Sequence, residues 1–278
     1  MISKSKIYGL VGLPIKHSLS PRMHNAAFRF LKINARYKLF PLKEAQLEKF
    51  LQELKKHNIR GFNVTYPYKE KFLKFVNRKS SGVREIGSLN TVVAGKDGKL
   101  KGFNTDYLGF MAHLKELKVR PKNAALIGAG GAAKAVGVAL ARMKISRLSI
   151  YDIDRFKSLD LYKKLSAAFP EIEFSVAGCI GDLGLPEKDL LVNASPVGMR
   201  REDPCLFSPQ SLHPGLFVYD LIYSPSQTKL LSLANDRGLK FSNGLGMLLY
   251  QGVFAFQHFS GRKAPVEVMR KALLKSCL

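Results

Sequence analysis

The segment from Asn123 to Asp152, NAALIGAGGAAKAVGVALARMKISRLSIYD, constrains the fold of this chain more than any other, because it holds a strand, a glycine turn, a helix and a second strand in one run. Ala124 to Ile127 is a short apolar stretch of buried-strand type. It breaks into Gly128-Ala129-Gly130-Gly131-Ala132-Ala133, which fits G-x-G-x-x-A. The first glycine permits the tight turn, the second lets backbone approach a pyrophosphate, and a small residue at the third position allows close packing of helix on strand. A helix from Ala132 to Met143 would aim its N-terminal amides and dipole at phosphates. Leu148 to Tyr151 supplies the second strand. Asp152 ends it roughly twenty residues after the glycines, where a carboxylate accepts from ribose hydroxyls. The run predicts a Rossmann-like dinucleotide-binding unit with Gly128, Ala129, Gly130, Gly131, Ala132 and Asp152 against the cofactor.

That unit cannot account for 278 residues, and a hydrophobic content of 46% suffices for two cores, so two domains are expected. The cysteines, Cys179, Cys205 and Cys277, are odd in number and lack a C-x-x-C pattern, which favours a reducing cytoplasm over a disulfide framework or a zinc site. The histidines show no ligand spacing, so no metal is expected. The basic start MISKSKIYGLVGLPIKHS precedes an apolar run too short for a membrane span, and it reads as a first strand. A net charge of +24 invites a nucleic-acid reading. Yet the basic residues are spread, without an RNP-type aromatic motif or C2H2 spacing, so the expected partners are anionic small molecules and not nucleic acid or membrane.

In chain order, Lys6 to Gly12 reads as a strand, and Ser20-Pro21 as a helix start with Ser as N-cap and Pro at the first helical position. Met23, Ala27, Phe30 and Leu31 would face inward. Ser18 and Ser20 either cap this helix or donate to a carboxylate at its N-terminus. Ala35 to Pro41 reads as a strand and Glu44 to His57 as an amphipathic helix. The β run Phe62 to Thr65 stops at Pro67 and brings Asn63, Thr65 and Lys69 together at a strand end, where sites form in α/β folds. Lys96-Asp97-Gly98-Lys99 is a hairpin turn between strands. After it, Tyr107 to Leu117 looks helical, and Asp106 is either its cap or one half of an acid-base pair with Lys69. Beyond Asp152 a helix is expected from about Ser158 to Ala168, with strands near Phe174 to Ala177, Asp189 to Ala194 and Phe217 to Tyr223. Gln227 to Arg237 and two C-terminal segments, Gly246 to Ser260 and Pro265 to Leu274, complete the helices.

The segments GLPIKHSLSPRMHN, GFNVTYPYKE, GSLNTV, GFNTD, GAGGAA, NASPVGM, YDLIYSPSQTKLL and GLGMLLYQG, in this order, resemble the shikimate dehydrogenase family over essentially the whole chain. Several hold polar loop residues that packing alone would not demand. The resemblance implies an α/β protein of two domains, a substrate-binding catalytic domain over 1–105 plus 245–278 and an NAD(P)-binding Rossmann domain over 106–244, with the C-terminal helices returning to the first. It implies reversible reduction of 3-dehydroshikimate to shikimate, a step of chorismate and aromatic amino acid biosynthesis, by a monomer or homodimer. Lys69 and Asp106 would be catalytic. Ser18 and Ser20 would seat the substrate carboxylate, while Asn63, Thr65, Asn90, Tyr223 and Gln251 would complete the substrate contacts. Asp154, Arg155, Ser195, Leu221 and Gly244 would join the glycine turn around the cofactor.

Departures from the family pattern bear on specificity. Commoner members read Asn-Arg-Thr where this chain has Asp152-Ile153-Asp154, and that Arg pairs with the 2′-phosphate of NADP. A carboxylate at Asp152 would instead accept from ribose hydroxyls and repel a 2′-phosphate, which favours NAD, although Arg155 and Lys157 stand near enough to help NADP. Ser81 replaces a usual acidic residue. Ser20 suits shikimate, whereas quinate-preferring members more often carry Thr there, so NAD-linked quinate or shikimate oxidation is the enzyme alternative. From another class, a dinucleotide sensor without turnover would have no need of Lys69 and Asp106.

Overall fold

The computed structural model describes residues 5–275, so Cys277 lies outside the described residues, and it divides into two compact units. One unit is Met1–Gly109 with Leu248–Leu278, and the other is Phe110–Met247. The chain begins β1 (Lys6–Gly12), α1 (Ser20–Phe30), β2 (Ala35–Pro41), α2 (Leu47–Gln52) and β3 (Gly61–Val64). It goes on through β4 (Arg78–Lys79), α3 (Ser81–Ile86), β5 (Thr91–Ala94) and β6 (Leu100–Phe103), and then α4 (Asp106–Glu116) carries it into the second unit. There follow β7 (Asn123–Ile127), α5 (Gly131–Arg142), β8 (Arg147–Tyr151), α6 (Arg155–Ala168), β9 (Glu173–Val176) and β10 (Leu190–Asn193). The series ends with β11 (Phe217–Asp220), α7 (Lys229–Asp236), β12 (Phe241–Ser242), α8 (Leu245–Ser260) and α9 (Val266–Leu274). No helix among the described residues is long and apolar enough to cross a membrane.

In the first unit the sheet order is β2-β1-β3-β5-β6-β4. β1 pairs in parallel with β2 and β3, while β3, β5 and β6 pair antiparallel. Alternation along β1 sends Tyr8 and Leu10 into one core with α1, α8 and α9, and Val11 into another with Phe50, Phe62 and Phe72. The C-terminal helices thus pack in the first unit's core, as the family pattern implied. The second unit's sheet, β12-β11-β10-β7-β8-β9, is parallel throughout. Its central strands are buried on both faces, which is why they read as unbroken apolar runs.

Several local expectations are corrected. The buried stripe of α1 is Met23, His24, Ala27 and Phe28, whereas Phe30 is 62% exposed. A nominally polar His24 disguised the true face. The helix expected over Glu44 to His57 is a 3-10 turn at Glu44–Gln46 followed by α2, which stops at Gln52. The chain then closes by Ile59 N donating to Leu54 O, with Asn58 left-handed at φ 53°. Helix α6 starts three residues earlier than expected because Asp154 caps it, its Oδ1 accepting from Phe156 N at 3.1 Å. The last strand, expected to enter over Gly238 to Phe241, is only Phe241–Ser242.

Candidate active site

The first unit gathers most of the polar motif residues around one ion pair. Lys69 follows β3 and is held in place where Leu89 N donates to its carbonyl at 3.0 Å. Its Nζ donates to Asp106 Oδ2 at 2.7 Å, and the two side chains are 18% and 7% exposed. Asp106 opens α4. It does not spend its carboxylate on capping. Asn104 Oδ1 accepts from Asp106 N at 3.0 Å, which leaves Asp106 Oδ1 to accept from Asn90 Nδ2 at 2.8 Å. Asn90 Oδ1 in turn accepts from Thr105 N at 2.7 Å and Thr91 Oγ1 at 3.0 Å. Gln251 Oε1 lies 3.4 Å from Asn90 Nδ2. This approach of α8 to α4 needs Gly109, where a Cβ would stand 2.6 Å from Gln251 N.

Asn63 joins the same network, its Nδ2 donating to Asn90 O at 3.0 Å and Thr91 Oγ1 at 2.9 Å. Thr65 extends the strand, its N donating to Val11 O at 2.9 Å, and its side chain abuts Gly12, where a Cβ would meet Thr65 Cγ2 at 2.4 Å. At α1 the cap expectation fails. Leu19 holds the N-cap without a side-chain bond, Ser20 is the first helical residue, and Ser18 Oγ accepts from Ser20 N at 3.3 Å. Ser20 is buried, with 6% of its surface exposed. Tyr37, Thr91, Asn104 and Thr105 went unassigned in the sequence. Thr91, Asn104 and Thr105 sit inside quoted motifs, in stretches where apolar residues would pack as well, and that was the available signal.

The second unit carries the cofactor candidates. Gly128 has φ 101°, and a Cβ there would lie 2.9 Å from Ala194 O, so only glycine fits between β7 and the loop after β10. A Cβ on Gly130 would meet nothing within 4 Å, and no side chain caps α5. Open space in front of a helix N-terminus that no side chain fills suits a pyrophosphate. Asp152 supports the turn itself: Oδ2 accepts from Ala129 N at 2.6 Å and Oδ1 from Asp154 N at 2.8 Å. Each oxygen keeps a lone pair for a ribose hydroxyl. Asp154 caps α6 and pairs with Lys157 at 3.2 Å, the bond with Lys157 holding its carboxyl below the usual range, while Arg155 is exposed. Ser195 Oγ donates to Asn193 Oδ1 at 2.7 Å and accepts from Val197 N, shaping the NASPVG loop.

Leu221 N donates to Asn193 O at 2.9 Å, and Gly244 backs directly on Leu221, whose carbonyl oxygen would lie 1.9 Å from a Cβ there. Asp220, fully buried and missed in the sequence, accepts from Asn193 Nδ2 at 3.1 Å, Ile222 N at 3.0 Å and Thr228 Oγ1 at 2.7 Å. Burial pushes its carboxyl pKa up, against those bonds. Tyr223 follows β11 in this unit; burial raises its hydroxyl pKa, so it stays a donor.

Known proteins resemble this chain along its length. A model of the shikimate dehydrogenase substrate binding domain matches residues 10–92, and one of the shikimate 5'-dehydrogenase C-terminal domain matches residues 244–274. The shikimate dehydrogenase (NADP(+)) of Carboxydothermus hydrogenoformans is 38% identical over 99% of this chain and 98% of its own length. The shikimate dehydrogenase of Aquifex aeolicus superposes with a TM-score of 0.89 at 33% identity, covering 98% of this chain and 99% of that one. That of Listeria monocytogenes, solved with shikimate and NAD, gives 0.88 at 32% identity over 97% and 96% of the two chains. With this likeness spanning both units, the chain belongs to the shikimate dehydrogenase family.

Proposed function

We propose that this chain interconverts 3-dehydroshikimate and shikimate with a nicotinamide cofactor, the first unit binding substrate and the second binding NAD(P). The observation that carries the reading is the sheltered Lys69–Asp106 pair, 2.7 Å apart, with Asn90 on the second carboxylate oxygen. A bound nicotinamide supplies or accepts the hydride. The chain's own residues handle the oxygen: Lys69 donates a hydrogen bond to the carbonyl oxygen, stabilises it as negative charge develops, and delivers the proton. Asp106 holds the ammonium in place and accepts from a neighbouring substrate hydroxyl. In the oxidation direction the same pair takes the hydroxyl proton. Ser18 and Ser20 seat the carboxylate, with Asn63, Thr65, Asn90, Gln251 and Tyr223 reading the hydroxyls.

Gly128, Ala129, Gly130, Gly131 and Ala132 would cradle the pyrophosphate, with Ser195, Leu221 and Gly244 beside the nicotinamide. For the cofactor's far end we infer a preference for NAD, although relatives are NADP(+) enzymes by name. Asp152 places negative charge beside the glycine turn, and of the two nearby cations Lys157 is engaged by Asp154, which leaves Arg155 to attract a 2′-phosphate. The exposed thiols of Cys179 and Cys205 suit a reducing compartment, and we take the cytoplasm as the site of action.

The test is the absorbance of the reduced nicotinamide with shikimate and quinate, each against NAD and NADP. Shikimate turnover with a higher kcat/KM for NAD is the expected outcome. Turnover of quinate alone would overturn the substrate assignment, and a clear NADP preference would overturn the reading of Asp152.

A further inference from the structure

One buried hydroxyl of the first unit holds a residue of the proposed site and has no part in the chemistry above. Tyr37 stands in β2 with 3% of its surface exposed. Its Oη bonds to Asn63 Oδ1 at 2.7 Å. Counting protons gives the bond a direction. Asn63 Nδ2 uses both hydrogens on Asn90 O and Thr91 Oγ1, so Oδ1 must be the atom that accepts from Tyr37. Asn63 keeps one Oδ1 lone pair, which makes it an acceptor toward any substrate hydroxyl.

The ring that carries this hydroxyl is clamped from α1. His24 stacks on it with centroids 4.3 Å apart and planes 2° from parallel. Asn25 brackets its backbone, Nδ2 donating to Tyr37 O at 3.0 Å and Oδ1 accepting from Tyr37 N at 2.8 Å. Two consecutive residues of the SPRMHN segment thus serve one tyrosine on the neighbouring strand.

We propose that Tyr37 is a positioning residue for substrate binding: its fixed hydroxyl holds the Oδ1 end of Asn63 on β3 and so keeps the hydroxyl-reading face of that side chain in place. The proposal rests on the assignment of Asn63 as a substrate-binding residue. Without the hydroxyl, Asn63 Oδ1 loses its buried donor. Binding geometry suffers while the Lys69–Asp106 pair is untouched.

Tyr37→Phe is expected to raise the KM for shikimate about tenfold while kcat stays within about threefold and the KM for the nicotinamide is unchanged. Asn63→Ala should raise the shikimate KM on its own, and adding Tyr37→Phe to it should cost less than about threefold more, because the group being positioned is gone. A folded Tyr37→Phe with unchanged shikimate KM overturns the proposal, as does a double variant in which the two effects multiply. Should Tyr37→Phe fail to fold with Asn63 Oδ1 left bare, the comparison of Asn63→Ala with the double variant decides the matter, since the double variant leaves no orphaned acceptor. If Asn63→Ala itself leaves the shikimate KM unaltered, the site assignment falls and takes this proposal with it. A raised KM in Asn63→Ala beside an innocuous Tyr37→Phe removes the role of Tyr37 alone.

Discussion

Lys69 Nζ and Asp106 Oδ2 are 2.7 Å apart with little solvent around either, so removing one partner changes more than a charge. Lys69→Ala is expected to lower kcat by about 10²–10⁴-fold, the usual worth of a positioned proton donor, with a few-fold change in the KM for shikimate. Steady-state kinetics in both directions checks this, and activity within a few-fold of the parent would show that Lys69 does not carry the proton. His24 poses the opposite case, a titratable residue with no chemistry to perform. It is wholly buried, neither ring nitrogen has a hydrogen-bond partner, and burial pushes its pKa down to about 3. Between that value and the unfolded value of about 6.5 the unfolded chain binds the extra proton, so stability is fully present above pH 6.5 and drains away as pH falls. The slope from this residue alone is about 1.4 kcal/mol per pH unit across the window. His24→Phe keeps the stack on Tyr37 and abolishes the titration. Urea unfolding at pH 5 and pH 8 should show the stability gap between the two pH values shrink in the variant, while the shikimate KM stays put. A gap of unchanged size would place the acid sensitivity on other residues.

At the level of elements, the β7–α5 turn is the part whose geometry a single methyl would break. Gly128 combines φ 101° with a carbonyl 2.9 Å from any added Cβ, so Gly128→Ala forces both strain and displacement of the loop after β10. A cost of about 1–3 kcal/mol in stability follows from such strain, together with a KM for the nicotinamide raised by at least about tenfold at unchanged shikimate KM. Equilibrium fluorescence titration with reduced nicotinamide tests it, and unaltered affinity would mean that the glycine turns the chain without holding the pyrophosphate. This turn was legible in the sequence because glycine spacing is a local constraint, and β7, α5 and β8 follow from it. The ion pair of Lys69 and Asp106 was legible only through the order of motifs, since the residues come from different elements and no periodicity joins them. Tyr37 was not legible at all, and Asp220 only as a polar residue inside the YDLIYSPSQTKLL motif. Each lies in a strand whose pattern merely asks for a bulky or apolar-flanked position, and their partners, Asn63 for one, Asn193 and Thr228 for the other, come from other elements. The length of α2 was misjudged for a related reason, because hydrophobic spacing continues through Leu54 while the backbone has already turned toward Ile59.

Over the whole molecule, 45 Lys and Arg against 21 Asp and Glu leave +24, a charge too dispersed along the chain to form a nucleic-acid track. A field of one sign acts on anything that approaches, and both expected ligands are anions, the substrate through its carboxylate and the cofactor through its pyrophosphate. Long-range attraction of that kind raises association rates and is screened beyond about 10 Å at 0.1 M salt, whereas hydrogen bonds made inside the site are not. The consequence is a separation between kcat and kcat/KM: the kcat/KM for shikimate should fall roughly two- to tenfold between 0.02 and 0.5 M NaCl while kcat changes little. The methyl ester of shikimate provides the control, since it keeps the ring hydroxyls and lacks the charge. Its kcat/KM should be lower throughout and nearly independent of salt. If acid and ester respond to salt alike, the excess of basic residues does not steer the substrate, and the charge belongs to the stability or the surface chemistry of the protein instead. Because steering acts before any contact is made, the same salt dependence should survive in Tyr37→Phe, whose defect lies in how the substrate is held once it has arrived.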